Sequence, residues 1–192
     1  MGLGKIQQGA IGQSEAAKLM MMGSGGRLEV AAPLSDDDRR DEEIHARGQF
    51  GTALALQVKT TMRLVKHRAS YRVSFVSRVR RERIVTHPLF WYLFAYLDPK
   101  TMAFGDPIFL VDSAAVHASL KQRQGATYLA FHASMGPKTH DQWLPYHVHP
   151  ADLGKRVLHI LNTRGRLSRA DLLALPALGS DLVWVGRHSK AA

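Results

Sequence analysis

The 192-residue chain contains no cysteine. It can therefore form neither a disulfide framework nor a zinc site built on thiolates, and this absence fits a reducing cytosol. Long apolar segments are also missing, because the longest run, residues 88–97, is far shorter than the roughly 20 residues that span a bilayer. The N-terminal residues lack the basic and apolar regions of a secretory signal, so we expect a cytoplasmic protein.

Acidic residues are scarce, with 16 against 26 lysines and arginines, and the formal net charge is +10. The two signs are segregated: residues 29–43 hold seven of the acids, whereas residues 63–83 hold eight basic residues and one acid. We expect a polyanionic partner because neutralised phosphates release counterions. A basic surface that only aids solubility is the alternative. The expected phosphate-binding residues are Arg63, Lys66, Arg68, Arg72, Arg78, Arg80, Arg81 and Arg83.

One stretch, residues 36–59, combines an acidic loop with a predicted β-hairpin. The first strand begins at about Glu43. Glycines at both ends of residues 48–51 provide the positive φ angles that a tight reversal needs. A second strand then follows over residues 52–59. The stretch therefore predicts two adjacent antiparallel strands that begin beside an acidic loop.

The predicted hairpin brings three chemically useful side chains together. If the two turn glycines face each other, Asp41 lies opposite Val58, and side-chain alternation places Gln57 and Lys59 on one face. Neighbouring strands are about 4.8 Å apart, so a carboxylate, an amide oxygen and an ammonium group lie within a few ångströms. This grouping suits a divalent cation and a phosphate. A solvated acidic loop beside a surface lysine is the plainer interpretation.

Residues 4–22 are predicted to form a helix, although glycine's poor helix propensity leaves open a start near Gly12. Glu15 falls on the apolar face of this helix. A carboxylate there must be paired, ligated or close to a cleft. The alternative to a functional role is that Glu15 lies at the edge of this face and pairs with Lys18 or a nearby arginine. Gln13, just after Gly12, is a competing candidate for the same role. The two residues lie about 200° apart around the helix, so they cannot both face one site.

The rest of the chain reads as alternating strands and helices of ordinary length. The predicted elements are strands over residues 27–32, 71–75, 90–97, 108–111, 127–131 and 181–185, a surface turn or helix end over 78–83, a helix over 114–122 capped by Ser113, a helix over 153–161 and a helix starting at 167. We expect one main domain over residues 1–150 and a helical extension over 151–192 that packs on it.

A polar loop over residues 135–150 contains His147 and His149. On a strand these two imidazoles would point the same way and could bind a metal ion. No third ligand stands at a distinctive spacing, and hydrogen-bonded histidines are more common. A small-molecule metalloenzyme built on this pair is therefore a minor alternative.

The order of these features resembles the PD-(D/E)XK nuclease superfamily, whose members have the restriction-endonuclease-like fold. Gly9-Ala10-Ile11-Gly12 opens a helix bearing Glu15, and a strand, Asp41 and Gln57-Val58-Lys59 follow. The likeness covers residues 9–61 and is closest to uncharacterised bacterial branches with a Q-x-K motif. The resemblance implies an α/β protein with a central mixed sheet flanked by helices.

The resemblance also implies a set of roles. Asp41 would be the metal-binding aspartate, Gln57 the second ligand position, Lys59 the catalytic lysine and Glu15 the acid of the first helix. The implied cofactor is Mg²⁺ or Mn²⁺, and the implied partner is DNA, most naturally double-stranded, with a homodimer left open. The acids of residues 36–38 are substitute ligands. A nucleic-acid-binding protein that has lost catalysis is the alternative, because a fold does not guarantee chemistry.

Overall fold

The computed structural model describes residues 4–33, 41–49, 51–68, 70–81, 84–136 and 141–164. Across these ranges the helices are α1 Lys5–Gly23, α2 Ser113–Ala118 and α3 Leu153–Arg164. The strands are β1 Leu28–Ala31, β2 Glu42–Ala46, β3 Ala53–Thr61, β4 Val65–His67, β5 Ser70–Val79, β6 Phe90–Tyr96, β7 Ile108–Asp112, β8 Lys121–Arg123, β9 Ala126–Ser134 and β10 His147–Val148. The predicted elements at 167 and 181–185 lie outside the described residues, as do the acids of 36–38 and Arg83.

The central sheet has six strands in the order β1-β2-β3-β6-β7-β10. Strands β3 and β6 run parallel, and the other neighbouring pairs are antiparallel. Strand β6 is an aromatic and aliphatic run buried on both faces, as expected for a strand at the centre of a covered sheet. The predicted fold class, an α/β protein with a central mixed sheet flanked by helices, is confirmed.

The predicted hairpin of β2 and β3 is present, but its expected register is wrong by one residue. Glu42 pairs with Leu56, whereas opposed turn glycines would have paired it with Gln57. The reason lies in the turn. The N–H of Gln49 donates to the Ala46 carbonyl at 2.9 Å, with Gly48 at φ +78°, the position where such a turn requires glycine. The chain therefore reverses around residue 49.

One face of the central sheet is covered by α1 and α3. Side chains of β3 and β6 such as Leu56 and Leu93 are fully buried against these helices. Helix α1 begins at Lys5, so the alternative start near Gly12 is wrong. Gly12 is used instead for a close approach: a Cβ there would overlap the Thr60 methyl group of β3. The missing side chain thus lets α1 lie directly on the sheet.

The other face of the central sheet packs on a second, antiparallel sheet, with strand order β4-β5-β9-β8. Aromatic rings fill the interface, and the rings of Phe94 and Phe131 stack with centroids 3.8 Å apart. We predicted β5 and β9 as strands but not this separate sheet. Its main ladder, which includes Phe75 opposite Phe131, joins segments far apart in the sequence.

Two local predictions need correction. Ser113 does not cap α2, because the Oδ1 atom of Asp112 accepts from the Ala115 N–H at 2.9 Å, as a helix N-cap does. The Ser113 hydroxyl instead bonds the backbone of His87. Helix α2 then ends at Ala118, not at residue 122, and the predicted surface turn at residue 78 is part of β5.

Among the helices that the structure describes, none has the length and apolar character of a membrane-spanning segment.

Candidate active site

Asp41 lies where β2 stops and β3 continues. The last paired residues are Glu42 and Leu56, and the N–H of Asp41 still donates to the Leu56 carbonyl at 3.0 Å. One step further, the Oδ2 atom of Asp41 accepts from the Val58 N–H at 2.7 Å. The carboxylate takes the place that a backbone carbonyl would hold in a longer ladder. Its position is therefore fixed by the strand edge itself.

Gln57 and Lys59 lie on the face of β3 away from α1, because Leu56 and Val58 point into the core beneath that helix. With Asp41 they line one cavity of about 270 Å³. The other lining residues are Ser77, Arg78, Val79, Tyr92, His117, Leu120 and Leu129. The predicted proximity of Asp41, Gln57 and Lys59 is thus present despite the shifted register, whereas their chemical roles stay predictions.

Glu15 is not brought to this cavity. It is buried (7% exposed) on α1 and forms an ion pair with Lys18, the alternative that the sequence left open. Helix α1 covers the sheet face opposite to the one that presents Gln57 and Lys59. Gln13 is half-buried on the same helix and does not line the cavity either.

Glu42 adds an unexpected buried carboxyl next to Asp41. It is 3% exposed, and its Oε2 atom has no hydrogen-bond partner among the residues that the structure describes. Burial, and secondarily the charge of Asp41, raises the pKa of Glu42 to about 8. Glu42 is therefore mostly protonated at neutral pH and adds little negative charge beside Asp41.

Sequence reasoning missed Tyr92 and His117 in the cavity wall. Tyr92 stands beside Gln57 in the parallel pairing of β6 with β3, and its hydroxyl lies 3.0 Å from Nε2 of His117. The Nδ1 atom of the same imidazole lies 2.7 Å from the Thr86 hydroxyl. Tyr92 looked like an ordinary core residue, and no spacing in the sequence links it to His117.

The predicted basic residues are carried by the second sheet and the turns beside it. Arg63, Lys66, Arg68, Arg78, Arg80 and Arg81 are exposed, and Arg72 is half-buried. They do not form a single face. Lys66 pairs with Tyr71, and side-chain alternation puts Tyr71 on the face of β5 that points to the core. Arg72 and Arg78 lie on the opposite face of β5 and point away from the core.

The outward face of the second sheet gains two basic residues that were not predicted. Lys121 of β8 is paired with Tyr128, which is also the partner of Arg78, so these side chains share a face. Arg123 follows on the same side of β8. Burial, followed by the charges of Lys121 and Arg72, lowers the pKa of His132. This face therefore concentrates positive charge, and Arg78 also borders the cavity.

His147 and His149 lie in a second cavity of about 500 Å³, at the β10 edge of the central sheet. The His147 ring packs edge-on against Phe109 with centroids 4.8 Å apart, and burial lowers its pKa. No group of three or more potential His, Cys, Asp or Glu ligands occurs in the part of the chain that the structure describes. The metalloenzyme alternative thus lacks a ligand set there.

No protein-family model and no curated protein matches this sequence. The fold is similar to that of a bacterial homing endonuclease, I-Ssp6803I, with a TM-score of 0.50. The comparison covers 86% of this chain and 96% of that chain at 16% sequence identity. At so low an identity the likeness shows the fold alone: an α/β protein with a central mixed sheet flanked by helices.

Proposed function

We propose that this protein is a divalent-metal-dependent DNA endonuclease of the PD-(D/E)XK type, with Gln57 at the second ligand position. The observation that carries the proposal is the meeting of Asp41, Gln57 and Lys59 in one cavity bordered by a strongly basic face. A fold like that of a protein named as a homing endonuclease supports DNA as the substrate.

The oxygen atoms at the end of β2 fit a hard divalent cation. Asp41 offers a carboxylate and Gln57 an amide oxygen. The Val58 carbonyl points to the same strand edge as its N–H, which bonds Asp41, because both groups of a strand residue face one side. Mg²⁺ or Mn²⁺ accepts such ligands and keeps several water molecules. When bound, the ion would polarise the phosphoryl group and lower the pKa of a bound water.

Lys59, Gln57 and Val58 would have different roles around the bound metal and phosphate. Lys59 projects from the same face as Gln57 and would stabilise the charge that develops on the phosphate, or hold the attacking water. Gln57 replaces a carboxylate by a neutral amide, which weakens metal binding and reduces repulsion of the phosphate. The hydrogen bond from Val58 keeps Asp41 at the strand edge.

DNA would lie across the outward face of the second sheet. Arg72, Arg78, Lys121 and Arg123 share this face and would contact phosphates, which gives affinity and position but no sequence information. Because Arg78 also borders the cavity, a backbone held on this face passes close to Asp41 and Lys59. A homodimer would supply two cavities, one for each strand of a duplex.

The test is cleavage of supercoiled plasmid DNA in Mg²⁺, in Mn²⁺ and in EDTA. The wild type is expected to nick or linearise the plasmid only with metal, and Asp41→Asn is expected to be inactive. Asp152→Asn is the matched control, because Asp152 is an exposed acid in the second cavity that pairs with Lys155. Equal cleavage by the wild type and Asp41→Asn would overturn the assignment of Asp41.

A nucleic-acid-binding protein without catalysis is the second candidate. The observation that favours it is the single carboxylate, Asp41, among the described residues that line the cavity. DNA binding without cleavage in any divalent metal would support this candidate over the nuclease.

A further inference from the structure

The middle of the second sheet is a ribbon of only two strands. Strand β4 pairs with residues 70–72 of β5, and β8 pairs with residues 126–128 of β9. Between these ends, residues 73–77 of β5 pair with residues 129–133 of β9, and no other described strand pairs with this segment. A two-stranded ribbon fits into the major groove of B-form DNA, which is about 12 Å wide.

The outward face of this ribbon is uncharged at neutral pH. Val73 of β5 points into the core, so side-chain alternation places Ser74 and Val76 outward. Their partners on β9 are His132 and Ala130, which therefore share the same face. Val76 is 63% exposed, and His132 is exposed as well. The middle of the face is thus open to a partner and carries no lysine, arginine or acid.

Positive charge lies at both ends of the ribbon. Arg78, Lys121 and Arg123 are exposed at one end, and Arg72 is half-buried at the other. A strand rises about 3.4 Å per residue, so Arg72 and Arg78 are roughly 20 Å apart along β5. Cationic side chains contact phosphates, whereas uncharged polar and apolar side chains can distinguish base edges. The face therefore fits duplex DNA, with phosphates at its ends and bases in its middle.

Ser74 and His132 form a hydrogen-bonded pair, with 2.8 Å between Oγ and Nδ1. Burial, and then the charges of Lys121 and Arg72, lower the pKa of His132, so its imidazole is neutral at neutral pH and has one N–H and one lone pair. If the hydroxyl donates, Nε2 carries the N–H and Oγ keeps lone pairs. If Nδ1–H donates, Nε2 is an acceptor and the hydroxyl proton remains for another partner. In either direction the pair offers one donor and one acceptor.

The chemistry of the ribbon matches A·T pairs. In the major groove adenine presents one acceptor, N7, and one donor, the N6 amino group, whereas guanine presents two acceptors. The Ser74–His132 pair is therefore complementary to adenine. Val76 and Ala130 lie about 7 Å further along the ribbon, or roughly two base-pair steps. They offer only methyl groups, which suit the C5-methyl group of thymine.

We propose that the ribbon is the element that recognises the DNA sequence: it lies in the major groove, where Ser74 and His132 select adenine and Val76 and Ala130 select thymine. The inference rests on the proposed function and adds sequence specificity to it. Arg78 is the next outward residue of β5 after Val76 and borders the cavity. The bases that the ribbon contacts therefore lie within a few base pairs of the cleaved phosphate.

The first experiment selects binding sites from duplexes with a randomised centre, in Ca²⁺, and sequences the bound fraction. The wild type is expected to enrich sites that share A·T pairs. Val76→Arg should change the preference at one position to guanine, because an arginine fork bonds both O6 and N7. Met22→Arg is the matched control, since Met22 is 73% exposed on α1, which covers the opposite face of the central sheet. It adds the same charge and should leave the selected sequence unchanged.

The second experiment tests the groove with base analogues in the selected duplex. 7-Deazaadenine lacks the N7 acceptor of the major groove, and 3-deazaadenine lacks the N3 acceptor of the minor groove. The first should weaken wild-type binding about 3- to 10-fold, the cost of one lost hydrogen bond, and the second should leave it unchanged. Ser74→Ala combined with His132→Leu should bind both duplexes equally, because the partner of N7 is gone. Thermal denaturation checks that this variant folds.

The outcomes distinguish this inference from the proposed function. A wild type that cleaves DNA but enriches no sequence overturns the role of the ribbon and leaves the nuclease intact, as does a Val76→Arg variant that selects the wild-type sequence. If the ribbon variants change the selected sequence but the wild type cleaves with no divalent metal, the nuclease is wrong and the sequence recognition stands. Greater sensitivity to 3-deazaadenine than to 7-deazaadenine would place the contact in the minor groove and contradict the proposal.

Discussion

Asp41 and Val58 are joined by a hydrogen bond of 2.7 Å from the backbone N–H of Val58 to the Asp41 carboxylate. Gln57 and Lys59 stand on either side of Val58 in the sequence, so this one bond ties the acid to both of its proposed partners. The bond forms where β2 ends, and the strand edge that β2 leaves open is the proposed metal-binding edge.

The Asp41 carboxylate accepts a hydrogen bond from Val58 and is also the proposed metal ligand, and two substitutions separate these roles. Asp41→Asn keeps an oxygen acceptor for the Val58 N–H, whereas Asp41→Ala removes it. Both variants should lose cleavage, because each removes the anionic metal ligand. Only Asp41→Ala should lose stability, by about 1–2 kcal/mol in urea denaturation, the typical cost of an unmet hydrogen bond. Retained cleavage in either variant would contradict the assigned role.

Glu42 predicts a pH dependence of stability. Its folded-state pKa of about 8 lies above the ordinary value of 4.5, so the unfolded chain releases this proton at lower pH than the folded protein. The free energy of unfolding should therefore fall as pH rises from about 4.5 to 8, by roughly 4 kcal/mol at most. Glu42→Gln should flatten this part of the profile in urea denaturation. An unchanged slope would show that Glu42 ionises normally in the folded protein.

The outward face of the second sheet predicts a salt-dependent effect on DNA binding. Neutralising Arg78, Lys121 and Arg123 to glutamine should weaken binding to all sequences alike. The slope of log affinity against log salt should fall by about 2 to 3 if each residue contacts one phosphate. Lys155→Gln with Arg156→Gln, exposed on α3 near the second cavity, is the control. An unchanged slope, measured by fluorescence anisotropy, would show that the face is only a solvated surface.

Two glycines of α1 predict opposite effects. A Cβ at Gly12 would overlap Thr60, whereas a Cβ at Gly9 meets nothing within 4 Å. Gly12→Ala should therefore destabilise the protein by about 1–3 kcal/mol through overpacking. Gly9→Ala should stabilise it by up to about 1 kcal/mol through helix propensity. Thermal denaturation checks both, and a stabilising Gly12→Ala substitution would disprove the close approach of α1 to β3.

The strands with strong local patterns could be predicted from sequence. The alternation around the glycines of residues 48–51 predicted the hairpin, and the apolar run at residues 90–97 predicted β6. The register could not be predicted, since a turn at Arg47 and Gly48 shifts it by one residue. The second sheet could not be predicted either, because its pairing joins distant segments whose patterns do not identify their partners.

The candidate site could also be predicted only in part. Asp41, Gln57 and Lys59 are neighbours on one hairpin, so their proximity could be predicted from their spacing in the sequence. Tyr92 and His117 come from β6 and α2 and meet only through the tertiary packing. Glu15 shows the converse: its place on an apolar helical face predicted burial, and Lys18 was named as a possible partner, but the sequence did not decide between this ion pair and a place in the site.

The most direct measurement is plasmid cleavage by the wild type and Lys59→Met at equal concentration in Mg²⁺. An ammonium group cannot ligate a cation, so the variant should keep its metal and DNA affinity and its fold while its cleavage rate falls at least about 100-fold. Gln57 and Asp41 remain in place in this variant, which isolates the contribution of the lysine. We predict metal-dependent cleavage by the wild type and almost none by Lys59→Met. Equal cleavage by both proteins would contradict it.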